Sequence, residues 1–120
     1  MADELVLDEF IEAVVKPRAR RMVVLEKKIE ERVCKYATDK GFLVYKFTSP
    51  ARTAVPDRMF VHPSGHIAFI EFKATGKKPT PQQEREHLRL SGHNVPVYVV
   101  DNVDEGKLLI DRIGYQCLGC

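Results

Sequence analysis

The sequence has no tryptophan, little cysteine and no long hydrophobic run. A membrane-spanning helix needs about 18 or more consecutive apolar residues, so we expect no membrane span. The N-terminus is acidic and lacks the basic region that begins a secretory signal, which predicts a cytoplasmic protein. The chain of 120 residues, 44% apolar and 30% charged, has the size and composition of one soluble globular domain.

A structural zinc site needs four ligands, and the three cysteines do not supply two pairs. Cys34 falls in a helical pattern and is expected to be a small buried hydrophobic residue. Cys117 and Cys120 form a single Cys-x-x-Cys pair with no second pair to complete a metal site. We therefore expect residues 114–120 to be a C-terminal tail with reduced thiols.

Basic residues are unevenly distributed, although the net charge is only +2. One group lies between residues 16 and 28, and a second lies between residues 73 and 78. Such clusters suit the phosphate backbone of DNA, although each is also consistent with an ordinary solvated basic surface. The candidate DNA-binding residues are Arg20, Arg21, Lys77 and Lys78.

Hydrophobic periodicity predicts a series of helices and strands after a loosely patterned start. We expect residues 1–22 to be an arm, with a short helix at 3–15, that either contributes to dimerisation or is partly disordered. Thr80, Pro81 and Gln83 have the signature of a helix start with a capping box. The predicted elements are a helix at 22–40, strands at 42–48, 58–62 and 67–73, a helix from Thr80 to about Leu90, a strand at 95–100 and a helix at 102–113.

This order, α-β-β-β-α-β-α, predicts an α/β fold with a mixed four-stranded sheet flanked by helices. The first three strands follow one another without an intervening helix and are expected to form a meander. The third and fourth strands are joined through a helix, which predicts that they are parallel. The fourth strand is almost wholly apolar, so we expect it to be buried on both faces.

The strands at 58–62 and 67–73, with turn residues between them, are expected to pair and to bring charged side chains together. Pairing around that turn places Asp57 near Glu71. Glu71 and Lys73 are two residues apart, so their side chains point to the same face of a strand. A charge within an apolar strand is costly unless it is paired or binds a metal, which makes Glu71 the strongest indication of a functional site.

Two carboxylates at the ends of neighbouring strands form an oxygen-rich site that suits Mg²⁺ or Mn²⁺. The main-chain carbonyl of Phe72 is a further candidate ligand beside Asp57 and Glu71. Glu26, on the preceding helix, is a candidate to complete the metal shell. A cation held there would bind a scissile phosphate and lower the pKa of a water.

Lys73 and Gln83 are the candidates for handling the attacking water and the phosphate. Lys73 would orient or help to deprotonate the water, or neutralise charge on the phosphate. Gln83 would hold the water or a phosphate oxygen. Each residue alone also has a structural interpretation, with Asp57 as a turn residue and Glu71 with Lys73 as an ion pair in an edge strand.

Several motifs together resemble a known nuclease family. Pro56-Asp57, with Glu71-Phe72-Lys73 fourteen residues beyond Asp57, resembles the PD-(D/E)xK signature. The run from Glu71 to Gln83 resembles E-x-K-x-x-G-x-x-P/L-[ST]-x-x-Q, and Val55-Pro56-Asp57-Arg58 resembles a G-x-P-D-R/L segment in which Val55 replaces the glycine of many relatives. With Leu25-Glu26-x-x-Ile29-Glu30, these motifs resemble the stand-alone VRR-NUC domain of phages and bacteria over about residues 23–113.

The resemblance implies a restriction-endonuclease-like fold and cleavage of structured or branched DNA with Mg²⁺ or Mn²⁺. It also implies a homodimer, similar to Holliday-junction-resolving enzymes, in the cytoplasm of a bacterium or a phage-infected host. Residue by residue, it implies metal ligands at Glu26, Asp57 and Glu71, the catalytic lysine at Lys73 and the family glutamine at Gln83. Glu30, one turn beyond Glu26, is the alternative helix ligand.

Two other functions stay open on the sequence alone. The chain could be a DNA-binding module without catalysis, or a small α/β interaction domain in which Glu71 and Lys73 form a structural pair. Carboxylates repel phosphates unless a cation bridges them, so a pure DNA binder has no reason to keep Glu71, and this favours the nuclease. For the nuclease we expect Asp57→Ala or Lys73→Ala to abolish cleavage while folding and DNA binding stay largely intact.

Overall fold

A four-stranded sheet with helices packed on it makes up residues 24–118, the part of the chain that the computed structural model describes. The predicted order α-β-β-β-α-β-α is confirmed. The expected N-terminal arm and its helix at 3–15 lie outside the described residues, as do Arg20, Arg21 and Cys120. The elements are α1 (Glu26–Asp39), β1 (Leu43–Lys46), β2 (Arg58–Val61), β3 (Ile67–Phe72), α2 (Pro81–Gly92), β4 (Val97–Val100) and α3 (Val103–Leu118).

The strands lie in the order β1-β2-β3-β4, and the sheet is mixed as predicted. β1 with β2 and β2 with β3 are antiparallel, whereas β3 and β4 are parallel because α2 forms the crossover between them. The turn between β2 and β3 closes with the His62 N–H donating to the His66 carbonyl at 2.9 Å. Gly65 has a φ of 93° in that turn, a conformation that favours glycine.

The hydrophobic core lies on one face of the sheet, beneath α1 and α3. Alternate residues of β3 point to that face, so Ile70 and Phe72 are buried against the two helices while Glu71 points to the opposite face. Gly106 on α3 permits the close approach of α1, because a Cβ atom there would lie 2.5 Å from Cγ2 of Val33. The helical core residues are Ile29, Val33, Ala37, Leu109, Ile110 and Ile113.

The opposite face of the sheet is only partly covered. Leu43 and Tyr45 on β1 are 57% and 50% exposed, and Val99 on β4 is 44% exposed. The expectation that β4 is buried on both faces is therefore wrong. It is an edge strand, and Val100, on its core-facing side, is the one residue of β4 that is fully buried.

The helix ends differ from the predicted ones at two places. α1 begins at Glu26 rather than at residue 22, and α3 continues to Leu118 rather than ending at Ile113. An internal glycine such as Gly114 costs a helix only about 1 kcal/mol, and residues 114–118 extend α3 instead of forming the expected tail. Cys34 packs against the core, and burial raises the pKa of its thiol to about 11. None of the described helices has both the length and the apolar content needed to cross a membrane.

Candidate active site

Three predicted site residues meet at one end of the sheet, where β2 begins and β3 ends. Asp57 directly precedes β2, Glu71 is the penultimate residue of β3, and Lys73 follows β3. Lys73 Nζ lies 3.4 Å from Glu71 Oε2. The predicted convergence of two carboxylates and an ammonium group is therefore present in the fold.

Asp57 is joined directly to the backbone of β3. Its Oδ2 accepts a hydrogen bond from the Phe72 N–H at 2.8 Å. The N–H and C=O groups of one strand residue point toward the same edge, so the Phe72 carbonyl is also directed to the side where Asp57 lies. The role of the Phe72 carbonyl as a metal ligand stays a prediction.

Glu71 is 1% exposed, because α2 covers it on the partly covered face of the sheet. Its Oε2 accepts a hydrogen bond from Gln83 Nε2 at 3.0 Å, whereas its buried Oε1 has no hydrogen-bond partner among the residues that the structure describes. The predicted capping box fixes Gln83, because the Thr80 N–H donates to Gln83 Oε1 at 2.9 Å and the Gln83 N–H donates to Thr80 Oγ1 at 3.1 Å. The start of α2 thus aims the amide group of Gln83 at Glu71.

The carboxyl groups of the site have pKa values above their usual range. Burial, with the nearby charge of Asp57, raises the pKa of Glu71 to about 7, and Lys73 opposes that rise. Burial also raises the pKa of Asp57, partly offset by the hydrogen bond from Phe72. For Glu26, whose side chain is largely exposed, partial desolvation and then the charge of Asp57 raise the pKa. Mutual repulsion of this kind is what a bound cation would relieve.

Glu26 and Glu30, the two candidates for the metal ligand on α1, have different surroundings. Glu30 Oε2 accepts a hydrogen bond from Arg58 Nε in a largely buried ion pair. The start of α1 is tied to the segment after β3, since the Val24 N–H donates to Thr75 Oγ1 at 3.1 Å and the Thr75 N–H donates to the Val24 carbonyl at 3.3 Å. Glu26 therefore begins its helix close to the site, while Glu30 is occupied by Arg58.

The donor set fits a hard divalent cation in part. Asp57, Glu71 and the Phe72 carbonyl offer oxygen atoms, the ligands that Mg²⁺ and Mn²⁺ prefer, and Glu71 Oε1 is a buried oxygen without a partner. Within residues 24–118, no three His, Cys, Asp or Glu side chains form a ready-made metal cluster. Glu26 acts on Glu71 electrostatically but is not gathered into a three-ligand site, so its role as a ligand stays a prediction.

Lys77 and Lys78 lie on an exposed loop beside the site. Gly76, with a φ of 85°, donates its N–H to Asp101 Oδ2 at 3.0 Å and so fixes this loop against the end of β4. Both lysines line an open cavity of about 570 Å³ between the loop, α2 and β4. Their exposure allows contact with a ligand, and their proposed DNA contacts stay a prediction.

Sequence reasoning missed a group of arginines on the other side of α2. Arg52, Arg85 and Arg89 line a cavity of about 360 Å³. Glu86 is 8% exposed and holds two of them, with Oε1 lying 3.4 Å from Arg52 Nη1 and 3.6 Å from Arg89 Nε. The spacing of residues 82, 85, 86 and 89 indicates that they share one face of a helix. The sequence gives no such indication for Arg52, because its place beside them depends on tertiary structure.

His87 was also missed as a site residue. It lies one turn beyond Gln83 on α2, and its Nε2 is 3.9 Å from Glu71 Oε1. Burial, followed by the charge of Lys73, lowers the pKa of His87. The i, i+4 spacing from Gln83 indicated a shared helix face, although nothing in the sequence indicated that this face covers Glu71.

The chain is similar in sequence and in fold to known proteins. No protein-family model matches it. It is 42% identical over 87 residues to "Putative nuclease p44" of Acyrthosiphon pisum secondary endosymbiont phage 1, a match that covers 72% of this chain and 94% of that protein. A solved structure described as a VRR_NUC domain is 30% identical, with a TM-score of 0.69, and the match covers 73% of this chain and 96% of that chain. This likeness confirms the predicted restriction-endonuclease-like fold.

Proposed function

The chain belongs to the VRR-NUC nuclease family, and we propose that it is a Mg²⁺- or Mn²⁺-dependent endodeoxyribonuclease. The observation that carries this proposal is Glu71, a fully buried carboxylate beside Asp57 and Lys73 at the open end of a strand. Among residues 24–118 no group donates a hydrogen bond to Glu71 Oε1, so this carboxylate keeps lone pairs that a cation can use.

Each residue of the site has a part in phosphodiester hydrolysis. Asp57, Glu71 and the Phe72 carbonyl would hold the cation, with Glu26 as a further ligand from α1. When bound, the cation would supply positive charge for the scissile phosphate and lower the pKa of a water. Lys73 orients that water and neutralises charge that develops on the phosphate.

Gln83 keeps the Glu71 carboxylate in place. Its amide group donates to Oε2 and is itself fixed by the capping box, so the carboxylate does not have to reorganise when substrate binds. The same amide has a second N–H, which is available to a water or to a phosphate oxygen.

Basic side chains on both sides of α2 support DNA as the substrate. Lys77 and Lys78 lie on one side, and Arg52, Arg85 and Arg89 lie on the other. The buried Glu86 holds two of these arginines in fixed positions, which lowers the entropy lost when a phosphate binds.

Structured or branched DNA, including the Holliday junction, is the substrate class that we propose. A homodimer has the two-fold symmetry of a four-way junction and would present one site to each of two strands. The alternative is a DNA-binding module without catalysis, which the basic surfaces alone would support. That alternative predicts strong salt dependence, indifference to Mg²⁺ and no cleavage products.

A cleavage assay tests the proposal. Labelled duplex, single-stranded, flap and four-way-junction DNA are incubated with Mg²⁺, Mn²⁺ or EDTA, using the wild type and Lys73→Ala. Lys35→Ala is the matched control, because Lys35 is an exposed helix residue paired with Asp39 on α1. Metal-dependent products that are lost in Lys73→Ala and kept in Lys35→Ala support the nuclease. DNA binding without products from any substrate would favour the binding module.

A further inference from the structure

α2 presents two side chains to the two oxygens of Glu71. Gln83 Nε2 donates to Oε2 at 3.0 Å, and His87 Nε2 faces Oε1 at 3.9 Å. The two α2 residues are four apart, so they lie one above the other on the same side of the helix. The helix therefore approaches both ends of the buried carboxylate, but only one of the two hydrogen bonds is made.

Because His87 and Glu71 are too far apart for a hydrogen bond, two buried polar atoms lack partners. Glu71 Oε1 and His87 Nε2 are both closed off from solvent, and neither has a hydrogen-bond partner among the described residues. Each unsatisfied buried polar atom costs about 1–3 kcal/mol. Since 3.9 Å is too long for a hydrogen bond, a movement of about 1 Å would satisfy both atoms at once.

A purely structural role does not explain a histidine at this position. An apolar side chain of similar size would fill the space between α2 and β3 without placing an unpaired ring nitrogen there. The imidazole can donate from Nε2 to a carboxylate when it is protonated, and also when it is neutral with its hydrogen on Nε2. A fixed donor behind a metal-binding carboxylate orients it and strengthens its hold on the metal.

We propose that His87 is a positioning residue of the nuclease site, donating from Nε2 to Glu71 Oε1 in the working enzyme. Gln83 and His87 then hold the two oxygens of Glu71 between them and fix the direction in which the carboxylate meets the cation. This inference rests on the proposed metal-dependent nuclease. It assigns His87 no contact with DNA, with the cation or with the attacking water.

The test compares three variants at the same temperature and pH. His87→Leu removes the donor and keeps an apolar side chain of similar bulk. His87→Gln restores an N–H donor at nearly the same reach. His66→Leu is the matched control, because His66 is exposed in the turn between β2 and β3.

Three measurements separate a positioning role from a structural one. Calorimetric titration with Mn²⁺, without DNA, gives the metal affinity. Cleavage over a range of Mn²⁺ concentrations gives the metal requirement and the rate at saturating metal, and thermal unfolding without metal gives the stability. We expect His87→Leu to bind Mn²⁺ about 10–100-fold more weakly, without a lower unfolding temperature. We expect His87→Gln to recover most of that affinity and His66→Leu to match the wild type.

Either of two results would overturn the proposal for His87. One is wild-type Mn²⁺ affinity in His87→Leu, and the other is equal weakness of the leucine and glutamine variants, which would mean that only the shape of histidine matters. If His87→Leu does not fold, His87→Met replaces it, because the flexible methionine side chain fits irregular spaces. A wild-type protein that neither binds Mn²⁺ nor cleaves DNA would instead refute the proposed function, so the two failures are distinguishable.

Discussion

The carboxylate of Asp57 completes the hydrogen bonding of β3 by accepting the Phe72 N–H at 2.8 Å. The ladder between β2 and β3 ends at the pair Arg58 and Ile70, so Phe72 lies beyond the reach of a β2 carbonyl. A proposed catalytic side chain thus substitutes for a missing strand residue. Asp57 therefore has a structural role, as the acceptor for the Phe72 N–H, and a proposed chemical role, as a cation ligand. Suitable substitutions can separate the two roles.

Asp57→Asn and Asp57→Ala should differ in stability while both lose cleavage. The asparagine variant keeps an oxygen that can accept the Phe72 N–H but has no charge for a cation. The alanine variant leaves that N–H unpaired, so we expect it to be about 1–3 kcal/mol less stable. Urea unfolding and the junction-cleavage assay measure the two effects. Equal stability of the two variants would contradict the structural role, and it would restore the sequence-based expectation that Asp57→Ala leaves folding intact.

The stability of the metal-free protein should fall as the pH rises toward neutrality. The folded state raises the pKa of Glu71 from 4.5 to about 7, chiefly through burial. The unfolded chain therefore releases this proton first, and folding loses up to about 3 kcal/mol as the pH rises from about 4.5 to 7. Glu71→Gln should remove this part of the pH dependence.

Urea unfolding of the wild type and Glu71→Gln between pH 4.5 and 8 measures that difference. Asp57 and Glu26 also titrate with raised pKa values in both proteins, so the quantity to compare is the gap between the two curves. Parallel curves would contradict the prediction. Mn²⁺ added at pH 8 should stabilise the wild type more than the variant, because the metal binds the deprotonated carboxylate.

Glu26 and Glu30 should separate into a functional and a structural residue. Glu30→Ala removes the partner of Arg58 from a largely buried pair, and we expect a loss of about 1–3 kcal/mol with cleavage retained. Glu26→Ala removes an exposed residue in the first turn of α1, so its stability should change little while cleavage falls. Thermal unfolding and cleavage measure both variants. Loss of cleavage only in Glu30→Ala would assign the helix ligand to Glu30.

Arg85 should contribute to DNA binding through a phosphate contact. It lines the arginine cavity, and no ion pair within residues 24–118 involves it, so Arg85→Ala should leave the fold unchanged. In a Lys73→Ala background, which prevents cleavage, we expect weaker DNA binding and a salt dependence whose slope is reduced by about 1. Arg32→Ala, an exposed arginine on α1, is the matched control. Equal slopes for the two variants would argue against a phosphate contact at Arg85.

Local patterns were enough to predict the elements that position the site. Glu71 within an apolar strand, the two-residue spacing to Lys73 and the capping box at Thr80 and Gln83 are all readable from short stretches. These features led to the mixed sheet and to the convergence with Asp57. They work because the period of a strand and the start of a helix are local properties.

The features that escaped prediction depend on contacts between distant parts of the chain. Nothing near Val99 in the sequence shows that one face of β4 stays uncovered. His87 lies opposite Glu71 only because of the way α2 packs on the sheet. Arg52 lies beside Glu86 only because of the path of the loop before β2. α3 runs beyond the predicted end at Ile113, because one internal glycine such as Gly114 costs a helix only about 1 kcal/mol and tertiary packing can offset that cost.

The alternation along β3 restricts how this gene can change by insertion or deletion. Phe72 fills the core, while Glu71 and Lys73 on either side of it serve the opposite face. Adding or removing one codon within the strand would turn the ammonium group into the core and the phenyl ring toward the site. Such a change would damage folding and chemistry together, so length variation in this protein should be confined to the turn at 62–66 and the loops on either side.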